Sequence, residues 1–245
     1  MSTHAIIDGD TIVYAVGFAH DKATENNGGV EEPIANLFGG VKMTIASLLG
    51  AVGADSYELF LTGHSNFRMD VSPDYKANRI GIKQPTRKAE IRDYLVRYKG
   101  AVVINGMEAD DACGIAMYSL PASKTVLIHQ DKDLDMLRGN HYNWHKCHRD
   151  NGIYNISDEE ADKIFYRQLL KGDSVDNIPG LFRMTGKKAT AKVFAGLDSC
   201  LNETQMYDYC LAQYDNDSEV LERLAQLIYI RRDPIGWMNP YRRKK

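Results

Sequence analysis

Four short apolar runs, "HAIID" (4–8), "YELFLT" (57–62), "AVVIN" (101–105) and "TVLIH" (125–129), recur along the chain with helical patterns between them. Runs this short and this apolar suit strands buried on both faces, and strands that alternate with helices build a parallel sheet covered on each side. The intervening patterns include 33–52, with Pro33 tolerated in a first turn, "PTRKAEIRDYLVRY" (85–98) and "EADDACGIAMYSL" (108–120). "HYNWHKC" (141–147) reads as one further strand. "ISDEEADKIFYRQLL" opens with Ser157 and Glu160 at capping-box spacing, so a helix starts there, and only helices and turns are read beyond 158. The expected architecture is a three-layer α/β/α domain over 1–155 with a mainly parallel central sheet, followed by a helical region over 156–245.

The charges are segregated. Net charge is only −3, with 30 Lys and Arg against 33 Asp and Glu, which by itself indicates no polyanionic partner. Yet 68–99 carries Arg68, Lys76, Arg79, Lys83, Arg87, Lys88, Arg92, Arg97 and Lys99 against Asp70, Asp74, Glu90 and Asp93. Residues 180–192 add Arg183, Lys187, Lys188 and Lys192 with no acid, and the chain ends "YRRKK". A single charge run is usually a solvated face; separate basic segments and acidic clusters in one chain need a further reason.

The acids follow the strands. Asp8 and Asp10 come after "HAIID", Glu108, Asp110 and Asp111 after "AVVIN", and Asp131 and Asp133 after "TVLIH". In an open parallel sheet the loops at the carboxyl ends of the strands form the binding crevice, so three strand ends deliver carboxylates to one edge. Like charges held together cost free energy unless a cation neutralises them, and all-oxygen donors suit Mg²⁺ or Mn²⁺. Taken singly, "EADD" could serve a helix dipole and "DGD" a turn.

"PDYKANR" (73–79), "EADD" (108–111), "QDKDL" (130–134) and "GDSVDNIPG" (172–180), in this order and spacing, resemble the motifs of the 5′-nuclease family of flap endonucleases and 5′→3′ exonucleases. The family includes the nuclease domain of bacterial DNA polymerase I and stand-alone bacteriophage exonucleases, and the small size resembles the phage members. The motifs span most of 1–195. The resemblance implies a PIN-like 5′-nuclease core and two divalent metals, Mg²⁺ with Mn²⁺ able to substitute. Their ligands would be Asp8, Glu108, Asp110, Asp111, Asp131 and Asp133, with Asp173 and Asp176 for the second metal. Asp135 would instead begin a solvated helix face. Thr62 stands where the family has an aspartate ending the second strand, and Asp10 is the candidate substitute.

By the same resemblance, Lys76 and Arg79 lie beside the scissile phosphate as catalytic and DNA-binding cations. Tyr75 could stack on a terminal base or be a packed aromatic. The basic segment at about 76–100 occupies the place of the helical arch. "NIPGLFRMTGKKATAKVF" resembles the helix–hairpin–helix DNA element, at about 172–195, with Gly180, Arg183, Gly186, Lys187 and Lys188 on phosphates. It departs from the pattern at Arg183 and Thr185, which puts the family's monovalent-cation site there in doubt.

The implied activity is hydrolysis of DNA from or near a 5′ end, leaving 5′-phosphate and 3′-hydroxyl products, in replication, repair or DNA degradation. The partner would be DNA with a 5′ end, flap or nick, or an RNA–DNA hybrid. Rival readings are removal of RNA primers from such hybrids, and a nonenzymatic DNA-binding protein with a degenerate metal site. His141, His145, Cys147 and His148 lack regular zinc spacing and read better as polar strand positions. Four dispersed cysteines, the lack of a signal-peptide pattern, and no apolar stretch near the roughly 20 residues of a bilayer span lead to the expectation of a cytoplasmic, non-membrane protein.

Overall fold

The computed structural model describes residues 2–145 and 152–243. β1 (His4–Asp8) lies inside a six-stranded sheet, parallel to β2 (Ser56–Asn66) on one side and to β4 (Thr125–His129) on the other. β3 (Val102–Gly106) extends the sheet beyond β2, and β5 (Gly139–Asn143) extends it beyond β4, both parallel. β6 (Tyr154–Ile156) pairs antiparallel with β5 and forms the edge. The strand order β3-β2-β1-β4-β5-β6 reverses between β1 and β4. Loops leave the sheet in opposite directions at such a point, and a crevice opens between them. Asp8 ends one of these two strands, and Asp131 follows the other.

Alternation along β1 divides the core. Ala5 and Ile7 join one apolar cluster and Ile6 the other. On the first face pack α1 (Gly9–Asn26), α2 (Ile34–Val52) and α4 (Lys88–Lys99); on the second packs α5 (Ala109–Ser119). α1 is absent from the sequence reading, which ended β1 in a turn at "DGD". The chain instead enters the helix directly, with Asp8 as its cap. Gly9 permits this abrupt entry: a Cβ there would lie 2.5 Å from Leu59 Cδ2 and 2.6 Å from the Phe60 carbonyl oxygen.

α2 buries Leu37, Val41, Ile45, Leu48 and Val52. At 19 residues and mean hydropathy 1.4, it is long and apolar enough to cross a membrane, contrary to the expectation that no stretch approaches that length. By length and composition alone a core helix passes the same test.

After β6, α6 (Asp158–Lys171) starts at the Ser157–Glu160 capping box expected from sequence. It packs with α9 (Glu203–Gln213) and α10 (Ser218–Ile228) around Phe165, Tyr166, Leu169, Cys210 and Leu224. Tyr75 and Met136 belong to the same cluster, so this helical part is seated on the sheet domain. The remaining short helices are α3 (Arg68–Val71), α7 (Leu181–Thr185), α8 (Ala191–Asp198) and α11 (Pro240–Arg243). Cys113, Cys200 and Cys210 are buried free thiols; Cys147 lies outside the described residues.

Candidate metal centre

Asp8, at the end of β1, caps α1 by accepting the Asp10 N–H at 3.1 Å. Asp110 sits in the first turn of α5, and Asp131 caps a 3₁₀ turn (Lys132–Met136) by accepting the Asp133 N–H at 2.9 Å. These caps are local reasons for the acids; what they do together is not local. Burial raises the Asp8 carboxyl well above the usual carboxylate range, and the charges of Asp10 and Asp131 raise it further. Asp110 rises for the same reasons, burial first and then Asp8, Asp131 and Glu108. Asp133 is pushed up to about 7 by burial and by Asp131, and its buried Oδ1 has no hydrogen-bond partner among the described residues. Asp8, Asp110 and Asp133, from three elements, are thus made harder to ionise by burial and by the acids around them.

The other half of the site comes from the turn after α6. Asp173 and Ile178 exchange backbone hydrogen bonds at 2.9 and 2.7 Å, closing a loop whose ends meet at Gly172 and Gly180. A Cβ on Gly180 would stand 2.1 Å from the Lys171 carbonyl oxygen, so only glycine permits that approach. Asp173 is oriented by the Val175 N–H at 2.7 Å and by Gln168 Nε2 at 3.1 Å. Asp8, Asp10, Glu108, Asp110, Asp131, Asp133, Asp173 and Asp176 all line a single cleft of about 1120 Å³.

Cations line the cleft as well. Lys76 is paired with Glu108 and lies 3.6 Å from Asp176, while Arg79 is paired with Asp176. The 73–79 segment is fixed against the 173–178 loop by the Lys76 N–H on the Asp176 carbonyl at 2.9 Å and by Asn177 Nδ2 on the Asp74 carbonyl at 2.9 Å. Lys76 adopts φ 56°, a left-handed conformation uncommon for a residue with a side chain. Arg92, read in the sequence only as one cation of the basic segment, donates to Asp10 Oδ1 at 2.9 Å and to the Thr62 carbonyl at 2.6 Å.

Two expected roles are corrected. Asp111 is fully buried and turned away from the other acids, receiving a two-point ion pair from Arg68 at 2.6 and 2.9 Å and the Arg231 N–H at 3.0 Å. Both its oxygens are spent on this internal pair, so it is not available as a metal ligand. Tyr75 is 3% exposed and its hydroxyl donates to Glu108 at 3.0 Å or Asp176 at 3.1 Å, so it is the packed aromatic and cannot stack on a base.

Asp135 also departs from its expected solvated face. It is partly buried and accepts the Tyr154 hydroxyl at 2.7 Å.

Thr62 has its own work in this chain. Its Oγ1 accepts the Ala109 N–H at 2.9 Å, capping α5, and its N–H donates to Asp10 Oδ2 at 3.1 Å. Asp10 thus brings a carboxylate to Thr62 within β2, although Arg92 already holds its other oxygen.

The 76–100 segment is a 3₁₀ turn (Ala77–Arg79), a link and α4. The link lies against α1: Pro85 packs on Gly17, Tyr14 Oη donates to Gln84 at 2.7 Å, and Thr86 N–H donates to Asp21 at 3.0 Å. Arg87 is paired with Glu31 and Glu90, and Arg97 with Asp93. Gly180, Arg183, Gly186, Lys187 and Lys188 lie outside the cleft lining, around α7 and the turn before α8. Arg183 and Lys188 are exposed, and Lys187 is paired with Asp215. Of the four residues weighed for zinc, His141 is buried in β5, the His145 N–H donates to Asn143, and Cys147 and His148 lie outside the described residues.

Fold and site together define an α/β protein with a cation-seeking acid cluster at the carboxyl edge of a parallel sheet. No family model matches the sequence. The exonuclease of Escherichia phage T7 is 32% identical over 129 residues, 50% of this chain and 42% of that protein. A 5′-3′ exonuclease of Buchnera aphidicola is 25% identical over 219 residues, 82% of this chain and 73% of the relative. The match to the phage protein thus spans less than half of its length. Among solved structures, the bacteriophage T5 D15 protein crystallised with metal ions superposes with a TM-score of 0.66 at 19% identity, covering 92% of this chain and 88% of that one. A T5 D15 flap endonuclease variant in complex with DNA and metal ions gives 0.57 at 17% identity, covering 92% and 97%. The chain is thus similar in sequence to phage and bacterial exonucleases and in fold to the T5 D15 structures.

Proposed function

We propose that this chain is a divalent-metal-dependent, structure-selective 5′-nuclease that hydrolyses DNA phosphodiesters at or near a 5′ end. The observation that carries this reading is the meeting of Asp8, Asp110 and Asp133, raised by burial and by neighbouring acids, with Asp131 and Asp173 in one cleft. The donors are oxygens, Asp133 presents a buried oxygen with no hydrogen bond among the described residues, and the set fits Mg²⁺ or Mn²⁺ better than softer ions. Asp8, Asp110, Asp131, Asp133 and Asp173 are the proposed ligands, with Glu108 and Asp176 joining once Lys76 and Arg79 turn to substrate. Two such ions would activate water near neutral pH and neutralise charge developing on the departing 3′ oxygen.

The chain's own residues do the rest. Lys76 and Arg79 stand on the rim with exchangeable carboxylate partners, so a phosphate entering the cleft can take their charge and be held in line with the acids. Gln168 and the Asp173 turn hold the far wall in place. The α7–α8 turn, with Arg183 and Lys188 exposed, is the proposed hairpin for duplex phosphates. Related proteins have been crystallised with DNA and with metal ions, which supports this choice of substrate and cofactor class. A cytoplasmic setting, where DNA ends are met, accords with the phage and bacterial relatives.

A 5′-labelled duplex incubated with the chain should release nucleotides or short oligomers in Mg²⁺ or Mn²⁺, and EDTA should stop it. Asp131→Ala should remove cutting while retaining most DNA affinity. Full cutting by that variant would refute the ligand assignment; no cutting by the parent with either metal would refute the activity. Flap, nicked, blunt and hybrid substrates in parallel would identify the preferred structure.

A further inference from the structure

Next to Asp131 but outside the cleft lining, two fully buried histidines and an aspartate converge. They come from three elements: His129 from the end of β4, Asp135 from the 3₁₀ turn, and His141 from β5. His129 Nε2 and His141 Nδ1 are 3.1 Å apart, and Asp135 Oδ1 lies 3.8 Å from the first and 3.9 Å from the second. The centre of that triangle is about 2.1 Å from each corner, the length of a zinc bond to imidazole nitrogen or carboxylate oxygen. Tyr154 Oη stands next to it, 2.7 Å from Asp135 Oδ1 and 3.4 Å from His129 Nε2.

The ring tautomers sharpen the point. His129 Nδ1 is 2.7 Å from the Asp131 carbonyl, and His141 Nε2 is 2.9 Å from the Leu137 carbonyl. A carbonyl oxygen only accepts, so each of those nitrogens carries its ring's proton. In neutral rings the two nitrogens that face each other are then both bare lone pairs, and two lone pairs cannot hydrogen-bond. A cation placed between them and Asp135 would satisfy both lone pairs and bring in a carboxylate oxygen as a third ligand. The backbone carbonyl on the outer nitrogen is the arrangement that fixes metal-bound histidines.

We propose that His129, His141 and Asp135, with Tyr154 beside them, form a second metal site, specific for a zinc-like ion and separate from the acid cleft. Two nitrogens and one or two oxygens favour Zn²⁺ or Co²⁺ over Mg²⁺. The ion would clamp β4, β5 and β6 to the turn that carries Asp131 and Asp133. Its role would be structural, holding proposed ligands of the cleft in place.

The full chain, stripped of metal and kept in excess Mg²⁺ so that the acid cleft is supplied with a hard cation, is titrated with Co²⁺. The expected result is one equivalent with the intense visible absorption of four-coordinate cobalt, displaced by Zn²⁺. It should persist in Asp8→Asn and vanish in Asp135→Asn and His141→Asn. Since the histidine variant risks misfolding, imidazole ¹⁵N resonances of the unmutated chain give a second measurement. Zn²⁺ should shift His129 Nε2 and His141 Nδ1, and Mg²⁺ should not. A chain that stays colourless, or whose two rings share one proton and ignore Zn²⁺, would overturn the site. So would a cobalt signal that disappears in Asp8→Asn.

Discussion

Each acid of the cleft is restrained by the others, and this makes single carboxyls testable. Asp110 is raised by burial and by three neighbouring acids, so without metal it keeps a proton that the unfolded chain would release. Asp110→Asn should therefore raise the thermal midpoint in EDTA at pH 8, while lowering metal-dependent cutting by on the order of a hundredfold or more. The pH dependence has the same origin. Asp133 titrates near 7 in the fold, against about 3.9 unfolded, and Asp8 and Asp110 are raised too. Between those limits the folded chain binds more protons, so metal-free stability falls as pH rises. His129 and His141, lowered by burial to about 4 and about 3, act oppositely below their unfolded value of about 6.5. The clear window is thus about pH 6.5 to 8, where the histidines are neutral in both states. Melting in EDTA should decline across it, and Mn²⁺ should remove the decline; a midpoint that rises without metal would contradict the assignment.

Arg68 joins elements that are remote in sequence. From α3 it pairs with Asp111 of α5 and donates to the Leu227 and Tyr229 carbonyls at 2.8 Å, fastening the end of α10 beneath the sheet. Removing one partner strands the other as a buried charge. Arg68→Ala should cost about 3–5 kcal/mol in chemical denaturation, or roughly 10 °C in melting temperature. Asp111→Asn should also lose stability yet keep Mn²⁺ affinity, which would separate it from Asp110. The sequence could not distinguish these two acids. Neighbours on a helix diverge by about 100°, so one carboxylate of "EADD" enters the cleft and the next meets an arginine 43 residues away. Strands β1 and β4 were legible because burial on both faces leaves uninterrupted apolar runs, and β3 because its run is apolar even though it is a largely exposed edge strand. β5 was read two residues late, over 141–147 rather than 139–143, because its buried positions include His141 and Asn143. α1 was missed because Gly9 and Asp10 resemble a turn and its buried face uses Gly17 and His20 beside the aliphatics.

At the scale of the whole molecule, the segregated charge has an electrostatic consequence. A cleft of mutually repelling acids also repels a phosphate backbone, so on the proposed reading DNA would be drawn by cations elsewhere and committed to the cleft as metal neutralises it. Many cations of the basic 68–99 segment are occupied internally: Arg68 by Asp111, Arg87 by Glu31 and Glu90, Arg92 by Asp10, Arg97 by Asp93. The α7–α8 turn contrasts with this, since Lys188 and Lys192 are exposed in a stretch without acids. If this turn holds duplex DNA, each lysine neutralises a phosphate and releases condensed counterions. Changing both to alanine should then reduce the slope of log affinity against log salt by about 2 and weaken binding alike on unrelated sequences. Cutting of pre-bound DNA in a single turnover should change little, because the lysines act on encounter and the acids on chemistry. Fluorescence anisotropy over a salt series with two unrelated duplexes measures the first effect, and rapid-quench cutting after metal addition measures the second. An unchanged slope would move duplex binding off the turn, whereas a sequence-dependent loss would mean that the turn reads bases rather than phosphates.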